Sequence, residues 1–297
     1  MSMQFVRDIY AAKGAAGRPV ISFEFFPPKT PEGDRNLLEK TLPALRQVRP
    51  DYCSVTYGAG GSTRDKTLLI VDRIQRQHGL VAVAHLTCVE ATREQLGELL
   101  GRIRALGVKN VLALRGDPPD RGEFKTTPGG FEYSSQLVRF IRQEPGLCIG
   151  VAGFPEGHIA CKEGKYADWQ HLKEKVDAGA DFILTQLFFD NADYYEFRDH
   201  LTIKLGVTVP IVPGIVSILS GAQIKRFTAL SGAQIPAPLA AKLDALGGDD
   251  AAVAEFGVDY ASKQCADLLQ SGAPGLHFYT LNKAAATTRI LRNLRLA

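Results

Sequence analysis

Eight short runs rich in β-branched and aromatic residues recur along this chain, and most are followed by a stretch with helical spacing. They are VISFEFF (20–26), DYCSVT (51–56), LVAVAHL (80–86), NVLALR (110–115), CIGVAGF (148–154), DFILTQLFF (181–189), VPIVPGIV (209–216) and LHFYTL (276–281). Runs that are apolar on both faces suit parallel strands covered by helices, because a half-wet antiparallel sheet alternates apolar with polar. Between them, TREQLGELLGRIRALG (92–107) sets Leu96, Leu99, Leu100, Ile103 and Leu106 on one stripe. Thr92 and Glu94 mark its start and Gly107 its stop. DWQHLKEKVDAGA (168–180) reads the same way, from an acidic first turn to Gly179. Eight strands with intervening helices predict an α/β fold of the (β/α)8 TIM-barrel type.

Residues 231–275 interrupt the alternation with extra helices before the last strand, PLAAKLDALG and then DAAVAEFGVDYASKQCADLLQSG. No Pro/Ser-rich linker or charge run divides the chain, so one domain over 1–297, with a helical insertion at about 231–275, is the expected organisation. A doubly wound Rossmann sheet is the alternative architecture, but no G-x-G-x-x-G follows a strand and no P-loop pattern occurs.

Composition narrows the class. A hydrophobic fraction of 45% is that of a folded chain, and a formal charge of +3 aims no strong field at nucleic acid or an acidic membrane. The start, MSMQFVRDIYAAKG, is too polar for a signal peptide, and no run approaches a membrane span. The five cysteines (Cys53, Cys88, Cys148, Cys161, Cys265) are scattered without CxxC spacing, which points to a reducing cytoplasm and not to a disulfide framework.

In a barrel, function collects where strands end. Glu24 lies among aromatics in the first strand and by alternation shares a face with Ser22, while Phe23 and Phe25 face the helices. A carboxyl pointed into the mouth is expected to be raised by desolvation toward the range of a working general acid; a buried ion pair is the other reading. Polar residues close the other strands: Thr56-Tyr57-Gly58-Ala59, His85-Leu86-Thr87, Arg115-Gly116-Asp117, Phe154 with His158, and Thr185-Gln186. No His or Cys spacing suits a metal, and neither a strand-borne lysine for a Schiff base nor G-x-S-x-G occurs. Such a mouth fits a site where a bound cofactor supplies the hard chemistry.

The motifs SFEFFPPK (22–29), VTYGAGGSTRDKT (55–67), HLTC (85–88), LRGDPP (114–119), GGFEYSSQLV (129–138), VAGFPEGH (151–158), DAGADFILTQLFFD (177–190), VPIVPGI (209–215) and GLHFYTLNK (275–283) resemble methylenetetrahydrofolate reductase, in order and across the whole chain. The resemblance implies an FAD-dependent barrel that reduces 5,10-methylenetetrahydrofolate to 5-methyltetrahydrofolate for methionine synthesis. NADH or NADPH would reduce the flavin, and the folate would follow in a ping-pong cycle. It implies Glu24 as the general acid and Asp117 as a pterin contact beside the flavin. Gln186, Gln223, Phe227, Tyr279 and Lys283 would lie on the substrate side.

For FAD it carries over Thr56, Tyr57, Ala59, His85, Arg115, Gly116, Asp117, Tyr133, Ser134, Phe154, His158, Cys161, Asp168 and Lys175. Departures from the family pattern are Phe154 for tyrosine, Ser134 and Cys161 for alanines, and Lys283 for arginine. The resemblance leads one to expect the short form without the regulatory domain of eukaryotic members, assembled as a homodimer or homotetramer. Two other functions share the recognition features: a pterin-binding barrel that transfers a methyl group without flavin, and a folate- or flavin-binding module without activity.

Overall fold

The computed structural model describes residues 5–57, 63–118, 122 and 124–297. Among them eight parallel strands close into a barrel in chain order, β1 paired with both β2 and β8. The strands are β1 (Val20–Phe25), β2 (Tyr52–Val55), β3 (Val81–Thr87), β4 (Asn110–Leu114), β5 (Cys148–Gly153), β6 (Phe182–Leu187), β7 (Ile211–Val216) and β8 (Gly275–Tyr279). Each begins within two residues of its run in the sequence. The register breaks once, between Leu184 and Leu187 of β6, where the long apolar run DFILTQLFF leaves the ladder.

Helices α1 (Val6–Ala15), α2 (Pro31–Arg35), α3 (Leu42–Arg46), α4 (Arg64–His78), α5 (Arg93–Ala105) and α6 (Ser134–Arg142) belong to the first half. A π-helical stretch, Asn36–Thr41, joins α2 to α3. The second half holds α7 (Lys165–Asp177), α8 (Asn191–Asp199), α9 (Gly221–Ser231), α10 (Ala237–Ala245), α11 (Asp250–Gln270) and α12 (Ala284–Asn293). The α5 stripe is as the spacing predicts: Leu96, Leu99, Leu100 and Ile103 are buried, and Thr92 and Gln95 form a reciprocal capping box at its start. α7 starts earlier than the acidic-turn signal suggests, at Lys165, because Gly164 at φ 92° turns the chain into it.

Two apolar shells hold the barrel. The outer one lies between strands and helices and includes Phe23, Phe25, Trp169 and Phe278. The inner one fills the lower half of the barrel with Tyr52, Val83, Leu112, Phe182, Leu184 and Val212. α1 plugs that end with Val6, Ile9 and Tyr10, three residues on one helical face. Gly150 has no room for a side chain, because an added Cβ would meet the Phe182 ring.

The segment at 231–275 divides in two. α11 packs on β7 and alongside α8 and α12, the place of a barrel helix. The other part is α10, which with the preceding α9 covers an apolar cluster of Leu187, Phe189, Val216, Ile218, Ile224 and Leu239 beside the mouth. No helix among the described residues is long and apolar enough to cross a membrane.

Candidate active site

Glu24 points inward from β1, as strand alternation predicts, and is 5% exposed. Three side chains converge on its Oε2: Ser54 Oγ donates from β2, and His277 Nε2 from β8 and His85 Nε2 from β3 approach, each at 3.4 Å. The His85 approach lies within ion-pair distance but lacks the alignment of a hydrogen bond. Burial raises the Glu24 carboxyl, as the sequence leads one to expect. The two imidazoles outweigh it through charge and hydrogen bonding, so the carboxyl is held down at about 2. The expected upward shift is thus reversed, because the sequence reading left out the histidines that reach the same oxygen.

The backbone behind Glu24 is fixed from β8. Thr280 Oγ1 donates to Glu24 O at 2.7 Å, and Asn282 clamps Phe26 with both ends of its amide, at 3.0 and 2.7 Å. Asn282 and Leu281 both adopt left-handed backbone, φ 57° and 52°, to make that turn. The seam that closes the barrel therefore also aims the acid.

A second group forms around the ends of β4 and β5. Arg115 and Asp117 follow β4, His158 follows β5, and Asp168 and Lys175 project from α7. Burial and then Arg115 lower the His158 imidazole, with Asp168 and Asp117 opposing. Its Nδ1 accepts from Ala160 N–H at 3.0 Å, so a neutral ring carries its hydrogen on Nε2. Lys175 is lowered by burial, with Asp168 opposing and Arg115 adding, and its Nζ donates to Ala152 O at 3.3 Å. The Phe154 ring meets His158 edge-on at 4.5 Å. Gly116, at φ 83°, admits no side chain because Val89 and Thr87 stand 2.7 and 2.9 Å from where a Cβ would sit.

Polar atoms at this face lack partners. Tyr57 Oη, Arg64 Nε, His85 Nε2 and Thr87 Oγ1 are all buried without a hydrogen bond among the described residues. They sit at or just beyond the ends of β2 and β3, where a ligand can satisfy them.

The remaining expected residues divide. Thr56 is held by its backbone, its O accepting from Thr67 Oγ1 at 2.8 Å. Gln186 shares a small cleft with Phe154, Glu156 and Ser231. Tyr279 Oη donates to Thr185 O at 2.7 Å, and Phe227 packs with Leu187 and Val216 in the cluster under α9. Gln223 braces the β7–α9 turn: its Oε1 accepts from Leu219 N–H at 2.6 Å and its Nε2 donates to Ser217 O at 3.1 Å. Each end of the amide keeps one further hydrogen-bonding site for a substrate.

Ser134 is buried at the start of α6, whereas the Tyr133 side chain is 53% exposed. The Cys161 thiol bonds locally to Glu163 and Gly164 O. Lys283 is exposed at the N-cap of α12 and makes no side-chain cap bond. Ala59 lies outside the described residues. His277, Ser54 and Asn282 were not singled out by sequence reasoning. The signal for His277 was available in LHFYTL, where it shares the inward face with Tyr279 and pairs with Ser22 in register.

Comparison with known proteins gives a consistent picture. The chain is 40% identical over 291 residues to methylenetetrahydrofolate reductase (NADH) 1 of Arabidopsis thaliana, covering 94% of this chain and 49% of that protein. It is 37% identical over 279 residues to 5,10-methylenetetrahydrofolate reductase of Escherichia coli, covering 94% and 91%. The chain thus spans about half the length of the plant relatives it matches and most of the bacterial one. Among solved structures, a Clostridium thermocellum protein that binds two copies of 5-methyl-5,6,7,8-tetrahydrofolic acid superposes with a TM-score of 0.64 at 13% identity. That superposition covers 96% of this chain and 97% of the other, and shares the fold. The family model described as methylenetetrahydrofolate reductase matches residues 9–295, and with these relatives it shows that the chain belongs to the methylenetetrahydrofolate reductase family.

Proposed function

We propose that this protein reduces 5,10-methylenetetrahydrofolate to 5-methyltetrahydrofolate with electrons from NADH or NADPH, as a step toward methionine, and that it does so with bound FAD. The observation that carries the reading is Glu24, a buried carboxyl fixed through Oε2 at a mouth whose neighbouring polar atoms have no hydrogen bond among the described residues. Those orphaned atoms, Tyr57 Oη, His85 Nε2 and Thr87 Oγ1, suit the polar edge of a planar cofactor, and Gly116 leaves its backbone bare. Arg115 and Lys175 supply positive charge for a pyrophosphate, with Asp168 balancing the lysine. When bound, FAD supplies the hydride chemistry that no side chain can.

The protein's own part is acid catalysis and placement. The methylene carbon of the substrate accepts hydride only once its five-membered ring has opened to a cationic iminium, and the departing amine nitrogen needs a proton. Glu24 stands at the mouth to deliver it. Asp117, exposed beyond β4, offers an acceptor for the pterin, and its negative charge would oppose added negative charge on a flavin bound beside it. Gln186 on β6, Gln223 and Phe227 on α9 and Tyr279 on β8 would meet the folate and the nicotinamide in turn. Lys283 is the cation on that side for the glutamyl carboxylate.

Stopped-flow spectroscopy tests the reading. The purified protein is expected to be yellow, to bleach on mixing with NADH or NADPH, and to regain colour on mixing with methylenetetrahydrofolate. A colourless protein that moves a methyl group from folate would support a pterin methyltransferase instead.

A further inference from the structure

Of the groups on Glu24 Oε2, His277 alone is also anchored at its far nitrogen. Ser22 Oγ lies 2.8 Å from His277 Nδ1 and reaches Leu276 O at 3.4 Å. A hydroxyl that donates to a carbonyl accepts from Nδ1–H, which leaves Nε2 as the nitrogen that exchanges a proton with the carboxyl. The ring is 0% exposed. It stacks on Tyr52 at 6.2 Å and 19°, and Tyr279 meets it edge-on at 5.5 Å and 84°. It therefore has one orientation. His85, by contrast, reaches Oε2 without hydrogen-bond alignment and leaves its Nε2 for a ligand.

With both imidazoles holding it well below its ordinary range, the Glu24 carboxyl is ionised at neutral pH and must receive a proton before it can give one. Building on the folate reduction proposed above, we infer that Glu24 and His277 act as one proton-donating unit, with Ser22 the positioning residue that fixes the imidazole. The His277 Nε2–H bond breaks as an O–H forms on Glu24. That O–H then breaks as an N–H forms on the departing amine nitrogen of the substrate. A carboxylate and a neutral imidazole remain, and water reaching the open mouth returns the proton; no electrons move in this step. The groups facing Glu24 are Ser54 from β2, His85 from β3, and His277 and Tyr279 from β8, with Tyr52 stacked behind His277. Burial holds both phenols well above their ordinary range, so neither releases a proton to the pair.

The test uses the flavin-loaded protein and its His277→Gln and Ser22→Ala variants. Glutamine keeps an N–H near the Nε2 position but cannot carry a proton. For His277→Gln, reoxidation of reduced flavin by methylenetetrahydrofolate should fall by about 10²-fold at neutral pH. The pH above which that rate declines should drop by one unit or more, while flavin reduction by NADH stays within about twofold. Carbon-13 NMR of the Glu24 carboxyl, assigned by its loss in Glu24→Gln, should show the titration midpoint moving up in His277→Gln. Ser22→Ala, which removes a single buried oxygen, should shift both in the same direction by less.

An unchanged pH limb in His277→Gln, an equal loss of both half-reactions, or an unmoved carboxyl midpoint would overturn the pair. Unmoved readouts in Ser22→Ala would remove Ser22 from it. A wild-type protein that NADH reduces but the folate never reoxidises overturns the functional reading, and the inference with it.

Discussion

At the lower end of the barrel, Val6 N–H is bonded to Asn110 Oδ1 at 2.8 Å, Asn110 Nδ2 donates to Ala82 O, and the Tyr10 and Tyr52 hydroxyls meet at 3.0 Å. Asp181 gathers Arg7, Arg142 and Ile149 N–H there as well. At the mouth, Tyr57 Oη, His85 Nε2 and Thr87 Oγ1 are buried without a hydrogen bond among the described residues, His85 Nε2 meeting Glu24 only at ion-pair distance. Each unbonded buried polar group costs about 1–3 kcal/mol. One end is finished by its own chain, and the other is left for a ligand to finish.

The comparison is broken most forcefully at the finished end. Phe182 is fully buried against Tyr10 and Tyr52. Phe182→Ala should cost about 3–5 kcal/mol in chemical denaturation. A loss below about 1 kcal/mol would mean that the lower core repacks freely and does not brace the strands.

Asn110→Ala is next, at about 1–3 kcal/mol, because it strands the Val6 N–H and the Ala82 carbonyl. FAD affinity should be unchanged in this variant, since the residue faces the α1 plug. A loss of flavin without loss of stability would reverse the assignment of the two ends.

Thr87→Val asks the opposite of the mouth. The hydroxyl has no hydrogen bond to lose among the described residues, so the ligand-free variant should be more stable by on the order of 1 kcal/mol while holding FAD less tightly. Thermal unfolding with and without flavin reads both. Destabilisation equal to that of Asn110→Ala would show that the mouth is as internally bonded as the floor.

The smallest effect concerns Glu156, which follows β5 at the rim and accepts from Gln234 N–H at 3.2 and 2.8 Å. Burial, opposed by that N–H and aided by Asp193 and Asp190, raises it to about 7 from an ordinary 4.5. A carboxyl raised in the folded state binds its proton more tightly there than when unfolded. Its stabilising contribution is therefore present below about 4.5 and is lost as pH rises through about 7. Glu156→Gln should flatten the decline in stability between pH 5 and 8, by less than a fully buried group would give because Glu156 is only partly buried. A slope identical to wild type would place its proton elsewhere.

The sequence makes the barrel legible because two-sided apolar runs and helical stripes are local patterns, and Glu24's inward direction follows from alternation alone. Its protonation does not, since that depends on His85 and His277, which lie 61 and 253 positions away and meet it only through strand register. α11 reads as an insertion because one long Ala-rich helix looks alike whether it sits in the ring or outside it. The plug is missed for a different reason. Val6, Ile9 and Tyr10 make a stripe of three residues, too short to stand out until the barrel floor that they fill is known.

The central claim is that the mouth is completed by a flavin and then by a folate, with Glu24 serving only the second. Stopped-flow measurement of both half-reactions in Glu24→Gln tests it most directly. The account predicts a yellow variant that NADH reduces at the wild-type rate, and whose reoxidation by methylenetetrahydrofolate is slower by at least about 10²-fold. Equal slowing of both half-reactions, or reoxidation at the wild-type rate, would contradict it.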